Sequence, residues 1–228
     1  METIRQNPEA IEAVVFDMDG VLFDSREMIY QAMEHVLAIR NITDVTRDDM
    51  AGVTGKPIAE MYRVLIPGIE NVDDLEREHL AHHDENLHLL QGFDDTEASL
   101  RRLRDQNYLL GVFTGFNELT YGRLDQFGIR EYFHQIVETT QYKKFKPDPE
   151  GLLLCIDRLA TTPDRVIYIG DGKSDMYAGK AAGVQQTIGF TQGFGSREAL
   201  LEAGADRTID SLNELIELLE SEGAQLGP

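Results

Sequence analysis

The sequence has a single cysteine, about half as many basic as acidic side chains, and no long apolar run. With only Cys155, no internal disulfide can form, which fits a reducing compartment. Cys155 sits in Leu152-Leu153-Leu154-Cys155-Ile156, so it reads as a small buried hydrophobe rather than a reactive thiol. Residues Met1 to Glu12 hold no apolar leader core, and nothing approaches the ~18 apolar residues of a membrane span. A soluble, cytoplasmic protein is expected. The 21 basic and 41 acidic side chains give a net charge of −20. Such a surface repels nucleic acid and anionic membranes, yet a local site can still oppose the global field and take a small anion. Gly193 and Gly195 flank Phe194, but no G-x-G-x-x-G with a following acid appears, so a nucleotide fingerprint is missing. Internal repeats and low-complexity tracts are also absent.

What is present suits a packed α/β protein. The chain has 228 residues, 42% hydrophobic and 27% charged, enough for one large domain or a core with an insert. Ala13-Val14-Val15-Phe16 has the unbroken apolar pattern of a strand covered on both faces. Ser25 is a candidate N-cap for a helix reaching about Arg40, Thr43 to Gly55 is polar and broken, Pro57 starts a second helix, and an acidic helix spans Asp73 to Leu90. Residues 25–90 therefore read as an all-helical insert, hinged near Phe23–Asp24 and Gln91–Phe93. From Thr96 onward, helices alternate with strands at Tyr108–Phe113, Ile136–Glu138, Arg165–Ile169, Gln186–Gly189 and Arg207–Ile209. That alternation predicts a doubly wound, Rossmann-like parallel sheet covered on both faces. A last helix spans Leu212 to Leu219, and the tail from Ser221 is expected to fray. The division is thus 1–24 with 91–228 as the α/β core, and 25–90 as a helical cap.

Chemistry-bearing residues stand at the ends of the buried strands. Asp17-Met18-Asp19-Gly20 follows the first strand; alone, it fits an acidic turn as well as a site. Thr114-Gly115 ends a second strand, and Gly170-Asp171 ends another, with Asp175 four residues on. Lys146-Pro147 precedes a helix start. Open α/β sheets place ligands at the carboxyl ends of their strands. If these segments converge, four carboxylates face one lysine, an excess of about −3 that cannot stay ionised when buried without a cation. A hard divalent ion such as Mg²⁺ answers this, and Thr114, the N–H groups after it and Lys146 suit phosphate oxygens. A carboxylate can attack phosphorus to give an aspartyl-phosphate, and a second acid two residues away can serve the leaving oxygen and then water.

On Asp17-Met18-Asp19-Gly20, Thr114, Lys146-Pro147, and Gly170-Asp171 with Asp175 before Ala181-Ala182-Gly183, the chain resembles the haloacid dehalogenase-like hydrolases. The placement of the helical insert is similar to that in the phosphoglycolate phosphatase and β-phosphoglucomutase branch. The resemblance implies a core with a squiggle and flap after the first strand. It implies Asp17 as nucleophile and metal ligand, and Asp19 as general acid/base with its backbone carbonyl on the metal. Thr114 and Lys146 would bind the transferring phosphoryl group, Asp171 would ligate Mg²⁺, and Asp175 would support it. The sequence departs from the branch at Gly172, where Ser174 or water could supply the missing hydrogen bond. It departs again at Gly115, where Asn117 could supply a polar contact, and at Ile29, where mutases carry histidine. The implied activity is a Mg²⁺-dependent phosphatase acting on a small phosphorylated metabolite, with a sugar phosphomutase as the alternative and a non-enzymatic sensor as a third reading.

Smaller signals remain. His79, His82, His83 and His88 cluster in an acidic helix; His79 and His83 have the i, i+4 spacing of metal ligands, but a solvated face is the expected reading. Lys56, in the loop Thr54-Gly55-Lys56-Pro57, is either a substrate contact or part of an ordinary helix-start turn. Arg26, just past the hinge, reads as a surface charge. Composition does not choose between a monomer and a dimer.

Overall fold

The computed structural model describes residues 10–116 and 119–225. Strand β1 (Ala13–Phe16) leads through a short strand β2 (Phe23–Asp24) into four helices, α1 (Arg26–Ala38), α2 (Arg47–Val53), α3 (Ile58–Leu65) and α4 (Asp73–Glu85). A short strand β3 (Gln91–Gly92) returns antiparallel to β2. Thereafter helix and strand alternate: α5 (Thr96–Asp105), β4 (Leu109–Phe113), α6 (Leu119–Gln126), β5 (Gln135–Val137), α7 (Glu150–Arg158), β6 (Val166–Gly170), α8 (Lys173–Ala182), β7 (Gln186–Phe190), α9 (Arg197–Glu202), β8 (Arg207–Ile209) and α10 (Leu212–Gln225).

Six strands form one parallel sheet in the order β5-β4-β1-β6-β7-β8. The chain builds outward from β1 to one side, then crosses to build the other side. The reversal falls between β1 and β6, the switch point where such sheets leave a crevice for ligands. Alternation along β1 sends Val14 and Phe16 to one face and Ala13 and Val15 to the other, and all four are fully buried. One face packs Leu100, Leu103, Leu124, Leu215 and Ile216 of α5, α6 and α10; the other packs Leu152, Cys155 and Ile156 of α7. Burial pushes the Cys155 thiol up to about 12, so it is an inert packing group, as its apolar neighbours predict.

Helices α1 to α4 pack around an apolar cluster of their own, including Met33, Val36, Met50, Met61, Tyr62 and Leu75. Three local details differ from the sequence reading. Polar residues 43–55 contain helix α2, started by a reciprocal Thr46–Asp49 capping box. Ser25 occupies the N-cap position of α1 but its hydroxyl makes no capping bond; the Asp24 carboxylate accepts from the Arg26 N–H at 3.2 Å instead. Helix α10 continues to Gln225, past the point where fraying was expected. No helix among the described residues is long and apolar enough to cross a membrane.

Candidate active site

Three strand ends meet at the switch point. The ladder between β1 and β6 extends one residue further, with the Asp17 N–H donating to the Ile169 carbonyl at 2.8 Å. Thr114 is held past β4 in the same way, its N–H on the Val137 carbonyl at 3.1 Å. Each side chain therefore leaves a rigid backbone, which fixes its direction. Gly20 adopts φ +79°, a conformation that lets the chain reverse after Asp19.

Asp17, Asp171 and Asp175 are buried and place carboxylate oxygens within 4.8 Å of one another, a group that could hold a metal ion. Lys146 supplies the cation, its Nζ lying 2.8 Å from Asp17 and 2.7 Å from Asp175. The faces of Phe113 and Tyr168 flank the ammonium at 4.7 and 5.8 Å. Asp175 also accepts from the Tyr168 hydroxyl at 2.7 Å and from the Gly172 N–H at 3.0 Å. Asp175 thus makes three polar contacts and braces Lys146, while Asp17 and Asp171 are less heavily engaged. Asp171 accepts from the Phe194 N–H at 2.7 Å.

Burial is the largest single influence on the electrostatics of the cluster. Burial pushes Asp17 up to about 7, with Lys146 opposing and Asp175 adding to the rise. Burial, followed by Asp17 and Asp175, lifts Asp171 well above the carboxylate range. Burial alone would lower Lys146, but Asp17 and Asp175 outweigh it and hold the ammonium charged. Replacing Lys146 with methionine is therefore expected to leave two buried carboxylates uncompensated. The expected loss is on the order of 3–5 kcal/mol of stability near pH 8, read by urea denaturation.

Asp19 is turned away from this cluster. Its carboxylate oxygens lie 3.1 and 3.3 Å from Nη1 of Arg123, on α6. Arg123 is the largest fully buried side chain among the described residues and stacks on the Phe116 ring at 4.2 Å. Its Nη2 donates to Nδ1 of His83, on α4, at 3.3 Å. Arginine only donates, so Nδ1 must accept and the His83 proton sits on Nε2. Burial, with His79 and Arg123 adding, drops His83 to about 2; burial, with Arg123 and His82 adding, drops His79 to about 3. Both imidazoles are neutral at ordinary pH. The solvated reading of these histidines is thus corrected: His79 and His83 are fully buried, on the face of α4 that also carries Leu75. His79 meets the Tyr62 hydroxyl through Nδ1 at 2.8 Å. His88, in contrast, is exposed.

Residues of the α1–α4 segment face the cluster. A cleft of about 510 Å³ is lined by Asp17, Asp19 and Asp171 from the core and by Asp48, Thr54 and Lys56 from the insert. A narrower inner pocket joins Asp17, Asp19 and Thr114 to Ile29, Lys56 and His79. Lys56 is half-buried and makes no ion pair among the described residues. The glycine at 115 has a steric cause: a Cβ there would lie 2.6 Å from the Gly55 carbonyl oxygen of the insert loop. Ser174 lines the cleft beside Gly172. Asn117 lies outside the described residues. Arg26 is a part-exposed charge at the start of α1, paired with Asp24 at 2.7 Å.

A family profile described as haloacid dehalogenase-like hydrolase matches residues 14–188. The chain belongs to the haloacid dehalogenase-like hydrolases. A protein named phosphorylated carbohydrates phosphatase, from Thermotoga maritima, is 31% identical over 92% of this chain and 100% of its own length. A pyrophosphatase named PpaX, from Listeria innocua, is 28% identical over 93% of this chain and 98% of its own. A solved haloacid dehalogenase-like hydrolase from Bacteroides fragilis superposes with a TM-score of 0.81 at 31% identity, covering 90% and 99% of the two chains. This family member is accordingly an enzyme, a hydrolase of the phosphatase kind. Of the sequence-derived residues, Asp17, Thr114, Lys146, Asp171 and Asp175 meet at one rim of the sheet. Arg123 went unnoticed in the sequence, where an arginine on an amphipathic helix carries no sign of burial.

Proposed function

We propose that this hydrolase is a Mg²⁺-dependent phosphatase of small phosphorylated metabolites, working through an aspartyl-phosphate on Asp17 in the manner of phosphoglycolate phosphatases. The observation that carries this reading is the Asp17 carboxylate, fixed at the switch point and held by Lys146 at 2.8 Å beside Asp171. Asp17 attacks phosphorus, Thr114 and Lys146 hold the phosphoryl oxygens, and Asp19 gives a proton to the leaving oxygen and later takes one from water. The buried carboxylates fit a hard divalent cation: three of them gather within 4.8 Å beside one lysine, and burial first, with neighbouring carboxylates adding, raises Asp17 and Asp171. Mg²⁺ would be held by these two and by the Asp19 backbone carbonyl, with Asp175 in support. When bound, it neutralises the carboxylates and draws charge from phosphoryl oxygens.

Residues 25–90 act as the cap and 1–24 with 91–228 as the catalytic core. Lys56 and, through its backbone, Gly115 border the leaving group. The cleft offers Asp48, Lys56, Lys173, Ser174 and Ser196 as polar contacts, a lining suited to a hydroxylated substrate. The name of the Thermotoga relative supports a phosphorylated carbohydrate. Ile29, an apolar side chain in the inner pocket, weighs against the phosphomutase reading. A screen of phosphorylated metabolites with Mg²⁺ is expected to release inorganic phosphate from sugar or short hydroxy-acid phosphates. Conversion of a sugar 1-phosphate to its 6-phosphate with little free phosphate would replace this reading with the mutase. Mg²⁺ binding without turnover across the panel would leave a sensor.

A further inference from the structure

We infer that Arg123 is a positioning residue for Asp19, and that His83 on the cap ties its placement to the cap being closed. The inference rests on the proposed role of Asp19 as acid and base. Three observations carry it. Arg123 has only 2% of its side chain exposed, so its charge has been taken out of water and must be matched. The match is Asp19, contacted through both carboxylate oxygens. Two further contacts among the described residues orient the guanidinium: the Phe116 ring lies beneath at 4.2 Å and His83 accepts from it at 3.3 Å. His83 in turn stacks on Phe116, with ring centres 5.7 Å apart.

The arrangement crosses the boundary between the two parts of the molecule. Arg123 and Asp19 belong to the core, while His83 belongs to α4 of the insert. A cap that lifts takes the acceptor away from Nη2 and opens the seam to water, where the ion pair with Asp19 is weakened. A closed cap dries the seam and holds Asp19 in one place. The acid is thus set when substrate is enclosed.

The step it serves is leaving-group departure. An Asp17 oxygen forms a bond to phosphorus as the bond from phosphorus to the ester oxygen breaks. A proton that Asp19 takes up with the bound anionic ester passes to that oxygen, giving a neutral alcohol and restoring the carboxylate that faces the Arg123 guanidinium. An aryl phosphate departs as a stabilised phenolate and needs little of that proton; an alkyl phosphate needs it fully. A misplaced Asp19 should therefore cost the alkyl substrate selectively, whereas general damage to the fold should cost both alike.

The test compares kcat/KM, which covers steps through departure, for p-nitrophenyl phosphate and for the best alkyl phosphate of the screen. It uses wild type, R123M, R123K, H83F and D19N, each checked for folding by circular dichroism. For R123M, we expect a loss of about 10²-fold on the alkyl ester against less than about 5-fold on the aryl ester, with H83F showing a smaller loss of the same kind. The double variant R123M/D19N should be no slower on the alkyl ester than D19N, because both act through one group. Equal losses on both esters by R123M, or additive losses in the double variant, would overturn the inference while leaving Asp19 as the acid. Should R123M not fold, R123K, which keeps charge but not the planar fork, decides by the same ratio. If D19N itself shows no preference between esters, the proposed role of Asp19 falls first and the inference with it.

Discussion

Asp17→Asn is expected to lower phosphate release by at least about 10⁴-fold while leaving the fold no less stable. An amide cannot form the acyl-phosphate, and the neighbouring carboxylates are held in other contacts: Asp171 accepts the Phe194 N–H, Asp175 is bound by Lys146, Tyr168 and Gly172, and Asp19 faces Arg123. Stability should move in the opposite sense from activity. Burial raises Asp17 from the ordinary 3.8 to about 7, so the folded state binds more protons than the unfolded one between those values. The contribution of this group is fully present below pH 4 and declines as the pH climbs to about 7. In metal-free buffer, the wild type should therefore lose more stability between pH 5 and pH 8 than Asp17→Asn does. The net charge of −20 adds self-repulsion over the same range. That term is common to both proteins, so the difference between their urea midpoints isolates Asp17. Mg²⁺ should narrow the gap by stabilising the wild type. Turnover by the variant, or an identical fall with pH in both proteins, would contradict the assignment.

Gly193→Ala is expected to weaken Mg²⁺ binding and kcat/KM by about 10–100-fold, although residue 193 contributes no side chain to the chemistry. A Cβ at this position would lie 2.1 Å from Oδ2 of Asp171, the oxygen that accepts the Phe194 N–H. The carboxylate has no free direction to retreat, because a Cβ at Gly20 would also lie 2.1 Å from it and the Gly195 N–H pins its backbone carbonyl at 2.9 Å. Gly193 does not have a left-handed φ, so the effect is steric and separable from backbone strain. Gly122→Ala, in α6 with open space at its Cβ, is the control and should raise stability by about 1 kcal/mol without touching metal affinity. Calorimetric Mg²⁺ titration reads the first effect directly. Wild-type affinity in Gly193→Ala would mean that Asp171 is not the ligand. The pair Gly193 and Gly195, which lacks a nucleotide fingerprint, thus has a structural explanation: it encloses an aspartate.

Local pattern determined most of the core. Apolar runs ending in Asp17, Thr114 and Asp171 marked strands and their carboxyl ends together, because a strand buried on both faces must change character where it emerges. Strand β8 agrees with the sequence reading to the residue, and α5 starts at the Thr96 where the alternation was expected to begin. Helix α2 was within reach of the sequence too, since Thr46-x-x-Asp49 is a capping pattern, but Gly52 and the polar surroundings hid it. Other facts had no local trace. Only the strand order places β6 against β1, and so Asp171 beside Asp17, across 154 residues of chain. The burial of Arg123, His79 and His83 depends on the surface that each helix meets. A helix rich in aspartate, glutamate and histidine reads as solvated until another element covers one of its faces. Periodicity states which side chains share a face; whether that face meets water or a second polar group is decided by packing between segments far apart in the chain.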